Sequence, residues 1–337
     1  MLAVCNYSVS EVRPQAWDSL IQQFTDATVF HSLAWLRTVS ESHGVKLTLA
    51  QVENEGECHA VWPFLVTRKG PLHVFGSPLP GWSTAYMGPL FHEQADVPAA
   101  LQAFMNHSLF RKHAYFACKV IDRHRPVDLT ECGFDRIADF DTYRIDLAES
   151  EETLWSNLKS ECRTRIRRAT KLGVEIRPEE SDAFIDEYWR MAVETFEKSG
   201  IQPTHTKQFL FDMWRNLQPV GSVCAASAFM EGKRIATLVL LIDDSTMYYW
   251  GGASYVQHRD VPAHNLLHWH MVREAQARGL REYDFISTCG GPGRFKKTFG
   301  PNTVHMATHW ERSRSKWISV LKDQYQKYLL MRRRIKA

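Results

Sequence analysis

The order of hydrophobic periodicities constrains this chain most, because the same plan is written twice. In the first half, Trp17, Leu20, Ile21 and Phe24 recur at helical spacing over 14–24, behind a Pro14 suited to a first turn. A second helix is predicted from Ser32 as N-cap to Gly44 as terminator. Strands over 47–52 and 60–66 flank the turn Asn54-Glu55-Gly56, and short extended pieces follow at 72–75 and 82–87. A helix over 98–110 and a strand over 115–121 complete that half. The second half opens on a basic helix over 152–172, stopped by Gly173, and a strand over 174–177. Ser181 caps a helix whose stripe is Phe184, Ile185, Tyr188, Met191, Ala192 and Thr195, and another helix spans 207–217. A hairpin of 223–230 and 235–242 turns at Glu231-Gly232; a strand over 246–250, a helix from Pro262 to Arg278 and a strand over 282–286 follow. A Gly-rich loop over 288–293 leads to 294–299 and to a last strand over 304–310. Both halves run helix, helix, hairpin, strand, helix, strand. The pattern predicts a mixed α/β (α+β) chain of two similar domains, 1–146 and 150–310, with a ligand cleft between them and a basic helix over 311–337.

A length of 337 residues suits two cores rather than one. No apolar run approaches the ~18 residues that a membrane span needs, and the first residues lack the layout of a secretory signal. The seven cysteines are scattered, with no C-x-x-C pair, which reads as reduced thiols in a cytoplasmic protein. The net charge of +3 hides an uneven distribution. Residues 158–171 hold six basic and one acidic residue, and 309–337 hold nine basic and two acidic. Two basic patches on an acidic body suit a polyanion: a phosphate-rich cofactor, a nucleotide-linked substrate or RNA. A solubilising helix face is the plain alternative for the tail.

Residues 248–300 carry the densest chemistry. Gly251-Gly252 reads as a strand end where a bare backbone lets a ligand approach and offers N–H groups to an oxyanion, with Trp250 beside it as a substrate contact. The helix start at Pro262 favours an anion, and Arg259 is placed to assist. Arg294, Phe295 and Lys296 follow the Gly-rich loop as a phosphate or carboxylate cradle, and Lys296 can stabilise charge developing at a carbonyl. An amine must lose a proton to be acylated, and Tyr255, Asp284 and His258 are candidates to take it. Asp284 reads almost equally as a structural strand-end carboxylate. His264 and His268 lie one turn apart, but Asn265 stands where a zinc protease needs Glu, so polar histidine tips on an amphipathic helix are the better reading. Gly81-Trp82-Ser83-Thr84-Ala85 lacks the strand and helix of a nucleophile elbow.

The runs YYWGGAS, PAHNLLHWHMVREAQARGLREYDFI and FKKTFG together resemble the second domain of the Fem-type transferases of the GNAT superfamily. FHSLAWLRTVSESHG resembles that family's N-terminal signature, and CRTRIRRATKLGVEI its interdomain helix. The resemblance implies tandem GNAT-like domains and an acyltransferase without a covalent enzyme intermediate or a tightly bound cofactor. The donor it implies is aminoacyl-tRNA or, in close relatives, acyl-CoA; the acceptor is an amine of a small molecule or cell-envelope precursor. Phe295-Lys296 matches the family's Phe-Lys pair, and Arg165 and Arg168 match basic positions on its interdomain helix. Two departures stand out. The acyl-CoA loop is here Gln257-His258-Arg259-Asp260-Val261-Pro262-Ala263, with Asp for the first Gly, and the coiled-coil arm of some tRNA-dependent members is absent. The Phe-Lys match and the missing glycine of the acyl-CoA loop tilt the expectation towards aminoacyl-tRNA, whose contacts must then use surfaces other than that arm. A non-catalytic GNAT-like binding module is the reading from another class.

Overall fold

The computed structural model describes residues 7–69, 72–79, 81–111, 113–198, 203, 205–315 and 317–318. In chain order the elements begin β1 (Ser8–Glu11), α1 (Pro14–Ile21), α2 (Leu33–His43), β2 (Lys46–Asn54), β3 (Glu57–Lys69), β4 (Leu72–Ser77) and β5 (Leu90–Phe91). Next come α3 (Val97–Asn106), α4 (Ser108–Arg111), β6 (Tyr115–Ile121), β7 (Asp135–Asp146), α5 (Glu151–Asn157), α6 (Ser160–Lys171) and β8 (Glu175–Pro178). The rest are α7 (Ile185–Lys198), α8 (Lys207–Leu217), β9 (Val223–Met230), β10 (Lys233–Ile242), β11 (Thr246–Ser254), α9 (Ala263–Ala277), β12 (Glu282–Asp284), α10 (Gly290–Lys296) and β13 (Asn302–Ser313). They form two compact units, one of Met1–Phe140 with His305–Ala337 and one of Asp141–Val304.

In the first unit the strands run β1-β2-β3-β4-β6-β13, with β5 also on β3. The β2–β3 hairpin turns through Glu55 (φ 52°) and Gly56 (φ 86°), both left-handed, as a two-residue primed turn requires. Ser32 caps α2 by accepting the Trp35 N–H, and Gly44 (φ 59°) ends it. One face of the sheet is an aromatic core: Trp62, Phe64, Phe75, Phe104, Phe110 and Phe116 are buried together, with Phe64 stacked on Phe75 at 4.3 Å. The strand expected at 82–87 shrinks to a single bridge, Met87 to Lys119. Residues 311–313, expected in a basic helix, extend β13 and pair with Ala117, Phe116 and Tyr115 of β6. The part of that expected helix from 319 onward lies outside the described residues.

The second unit holds β7-β12-β11-β10-β9-β8, in which only the β11–β12 pair is parallel. Glu231 (φ 52°) and Gly232 (φ 75°) make a second primed turn, between β9 and β10. Alternate residues of β10 part to opposite faces, and Leu238 and Leu240 pack with Leu267, Val272 and Ala275 of α9. Leu154, Cys162, Ile166 and Ala169 from α5 and α6 join that layer.

The single helix expected over 152–172 is broken. Lys159 is extended (φ −60°, ψ 149°), and its N–H donates to the Thr298 carbonyl at 2.9 Å, outside the helix ladder. Leu158 is spent on the core at the break. The same corner fixes Gly300, whose φ is 70° and whose added Cβ would lie 2.2 Å from the Asn157 carbonyl oxygen. Gly300→Ala therefore carries both strain and a backbone clash, and a loss of about 2 kcal/mol or more in unfolding free energy by urea titration is the expected result.

Candidate active site

Two features of β11 create the site. The first is a bulge: Leu240 pairs with Tyr249 and Val239 with Gly251, so Trp250 is the extra residue. Side-chain directions agree. Tyr249 meets His268 of α9 edge-on at 4.5 Å, whereas Trp250 stacks on Phe209 of α8 at 5.9 Å. A Cβ at Gly251 would lie 2.7 Å from the Tyr188 hydroxyl of α7; one at Gly252 would lie 2.8 Å from the Tyr249 hydroxyl and 3.2 Å from His264. The glycine pair thus sits within the strand, not at its end, and the close approach it permits is to protein hydroxyls. The second feature is the length of the parallel pairing. It covers only Thr246–Tyr248 against Glu282–Asp284, after which β11 runs on to Ser254 while β12 ends.

Lys296 stands at the end of β12. It is 7% exposed, and its ammonium donates to the carbonyls of Phe285 (2.9 Å) and Ser287 (3.2 Å), 5.6 Å from the centre of the Tyr249 ring. Burial pulls its pKa down, and the charge of Asp284 offsets part of that. The segment bearing it differs from the expected flexible loop. Gly290–Lys296 is helical, and Gly293 is tight because a Cβ there would lie 2.2 Å from the Thr288 carbonyl oxygen. Phe295 packs on His268 at 5.5 Å, while Arg294 is exposed.

Asp284 is fully buried. It accepts from Thr142 Oγ1 (2.5 Å), Arg144 Nε (2.8 Å) and the Ile286 N–H (2.5 Å). Burial pushes its carboxyl up, and Arg144, Thr142 and Ile286 pull it back. Arg144, 4% exposed, also bonds Glu282, and these carboxylates hold its guanidinium above the ordinary value despite burial. Three protein donors hold its two oxygens, an arrangement that suits the structural strand-end carboxylate that the sequence also allowed.

Tyr255 follows β11, and its hydroxyl donates to Glu187 of α7 at 3.4 Å. Burial and Glu187 raise its pKa, so it is a donor near neutral pH. Arg259 is exposed in the 3-10 turn region before α9. Arg165 and Arg168 are exposed on α6, whose opposite side buries Cys162, Ile166 and Ala169; neither makes an ion pair with another described residue. The structure therefore gathers Lys296, Phe295 and Asp284 at one point. Trp250 and Tyr255 are set with α7 and α8, and the arginines on the surface.

The reading of His268 as a polar tip is corrected, while His264 is half-buried. His268 is fully buried among Tyr249, Phe285, Phe295 and Phe299, with Nδ1 2.8 Å from the Tyr283 hydroxyl. Burial lowers His264 to about 4 and His268 well below its usual value. The aromatic residues at 283, 285, 295 and 299 were the available signal, since together they make an apolar surround. Thr142 and Arg144 carried no signal, because their role depends on a strand pairing 140 residues away in sequence.

Residues 156–297 match the family model of the acetyltransferase (GNAT) domain. Across the whole chain the fold is similar to a crystal structure of FemX (TM-score 0.76, 14% identity, 93% of this chain and 99% of that one). It is also similar to the structure of L-PGS from Bacillus licheniformis (0.59, 11%, 93% and 96%). A third similar structure is a tandem GNAT protein from the clavulanic acid biosynthesis pathway (0.55, 10%, 91% and 98%). No protein of curated function matches the sequence. The chain has the Fem-type tandem GNAT fold. Among the described residues no helix is long and apolar enough to cross a membrane.

The two histidines of α9, His264 half-buried and His268 buried, set an acid limit. An unfolded histidine gains its proton near pH 6.5, whereas His264 in the fold does so near 4 and His268 lower still. Between those values the unfolded chain binds more protons, so stability falls as pH drops from 6.5 towards 4. Urea titrations at pH 7 and pH 5 should differ by about 2 kcal/mol for each such histidine, and His268→Gln should remove one share of the difference.

Proposed function

We propose that the chain is an N-acyltransferase that passes an aminoacyl group from aminoacyl-tRNA to a primary amine of a small molecule or cell-envelope precursor. The observation that carries this reading is the buried Lys296 ammonium at the end of β12, beside the stretch of β11 that outruns its partner. The amine nitrogen attacks the ester carbonyl, a C–N bond forms, and the carbonyl oxygen takes up negative charge. Lys296 stabilises that oxyanion at a site largely shielded from water, where a fixed positive charge counts for more than in solution. Collapse breaks the C–O bond to the ribose, and the amine proton passes through water to the departing hydroxyl. Tyr255 is available as a donor rather than a base.

A tRNA donor is supported by Arg165 and Arg168 on the outer face of α6, and by the likeness to FemX and L-PGS. A second reading, an acyl-CoA donor, is favoured by the positive end of α9 and the exposed Arg259 just before it, which suit a pyrophosphate. The test is incubation with charged tRNAs, and separately with a panel of acyl-CoA thioesters, each with a pool of amines, read by mass spectrometry. Product from tRNA that disappears after RNase treatment supports the first reading; product from thioesters alone replaces it with the second. Product from neither, across an acceptor pool that includes amino sugars and peptidoglycan precursors, favours a binding module.

Two effects of substitution follow. Lys296→Ala should lower kcat by about 10²- to 10³-fold in a protein that still melts cooperatively. Arg165→Ala and Arg168→Ala should each weaken tRNA binding and flatten its logarithmic salt dependence by about one unit, measured by filter binding between low and moderate salt.

A further inference from the structure

Ile286 has φ 65°, a left-handed conformation that a β-branched residue adopts only under constraint. It lies two residues beyond Asp284, between the two residues whose carbonyls hold Lys296. On one side, Asp284 Oδ1 accepts the Ile286 N–H at 2.5 Å, and that carboxylate is itself fixed by Thr142 and Arg144. On the other, the Phe285 and Ser287 carbonyls converge on the Lys296 ammonium at 2.9 and 3.2 Å. The Phe285 carbonyl shares its peptide unit with the pinned Ile286 N–H, and the Ser287 carbonyl lies in the second unit after the strained residue. Were Ile286 to relax to negative φ, the units would rotate and the carbonyls would no longer point to one place.

From this juxtaposition we infer that Asp284 is a positioning residue: by pinning the Ile286 N–H it holds a left-handed turn whose two carbonyls aim the Lys296 ammonium. An ammonium has three protons, and this turn takes two, leaving one N–H with a fixed direction. Asp284 thus acts on the reaction only through Lys296, without accepting a proton. The inference rests on the proposed role of Lys296, but the turn itself can be tested independently of any activity.

The test is a cycle of Asp284→Asn, Ile286→Gly and the double variant in the full-length protein. The first readout is the rate at which N-acetoxysuccinimide labels Lys296, followed by mass spectrometry against exposed Lys297 as an internal reference. The second is kcat and KM with whichever donor the wild type uses. Asp284→Asn should raise the Lys296-to-Lys297 labelling ratio by about tenfold, as a charge-assisted hold on the turn is lost. It should also lower kcat with little change in KM. Adding Ile286→Gly should return both readouts towards wild type, because glycine keeps positive φ without help. A proton-accepting Asp284, or a merely structural one, gives no such rescue. An unchanged labelling ratio in Asp284→Asn, or a double variant no better than the single one, overturns the inference. If Asp284→Asn does not fold, Thr142→Val, which frees the carboxylate from one anchor, carries the same cycle with the same expected directions. Should the wild type transfer no acyl group, the labelling cycle still decides the turn, and it is the proposed reaction that fails.

Discussion

The ion pair between Arg144 and Asp284 is the constraint on which the second unit's chemistry rests. Arg144 comes from β7 and Asp284 is the last residue of β12, so the pair locks two antiparallel neighbours at the point where β12 stops. A buried charge pair of this kind rarely adds much net stability, but losing one partner strands the other in a dry interior. Its value here is definition: it fixes the height at which β11 loses its parallel neighbour. Everything beyond that height on β11, including the bulge and the glycine pair, lies where β11 has outrun β12.

Strong local chemistry was legible in the sequence, and long-range pairing was not. Ser32 and Gly44 bound their helix because a cap acts on its own neighbours, and Glu231-Gly232 turned where expected for the same reason. The α/β order, the hairpins and the long α9 were readable from periodicity. What failed had causes remote in sequence. Lys159 left the helix for the carbonyl of Thr298, and 311–313 joined a strand because β6 offered an edge. In the candidate site, Lys296 and Phe295 were singled out from residue type and resemblance, and the structure puts Lys296 under cover beside Tyr249. The carboxylate of Asp284 was ambiguous in sequence because only its partners, Thr142 and Arg144, decide what it can do.

The histidines teach a related lesson. Spacing of four residues places His264 and His268 on one side of a helix, but spacing says nothing about what that side meets. Here it meets aromatic rings and the hydroxyl of Tyr283, so a residue type commonly read as polar serves as core. Neutral imidazole is well suited to this, since one nitrogen can bond a phenol while the ring packs among Phe295 and Phe299.

The bulge at Trp250 has a consequence for how the sheet transmits load. Normally neighbouring residues of a strand report to opposite faces, and a disturbance on one face is diluted over several residues before it reaches the other. At the bulge, Trp250 and Gly251 both lean on the layer of α7 and α8, while Tyr249 and Gly252 bracket them on the layer of α9. Four consecutive residues therefore couple two aromatic layers across a backbone one peptide thick. A ring that shifts against Phe209 on one face pulls, one bond away, on the tyrosine that lies beside Lys296 on the other.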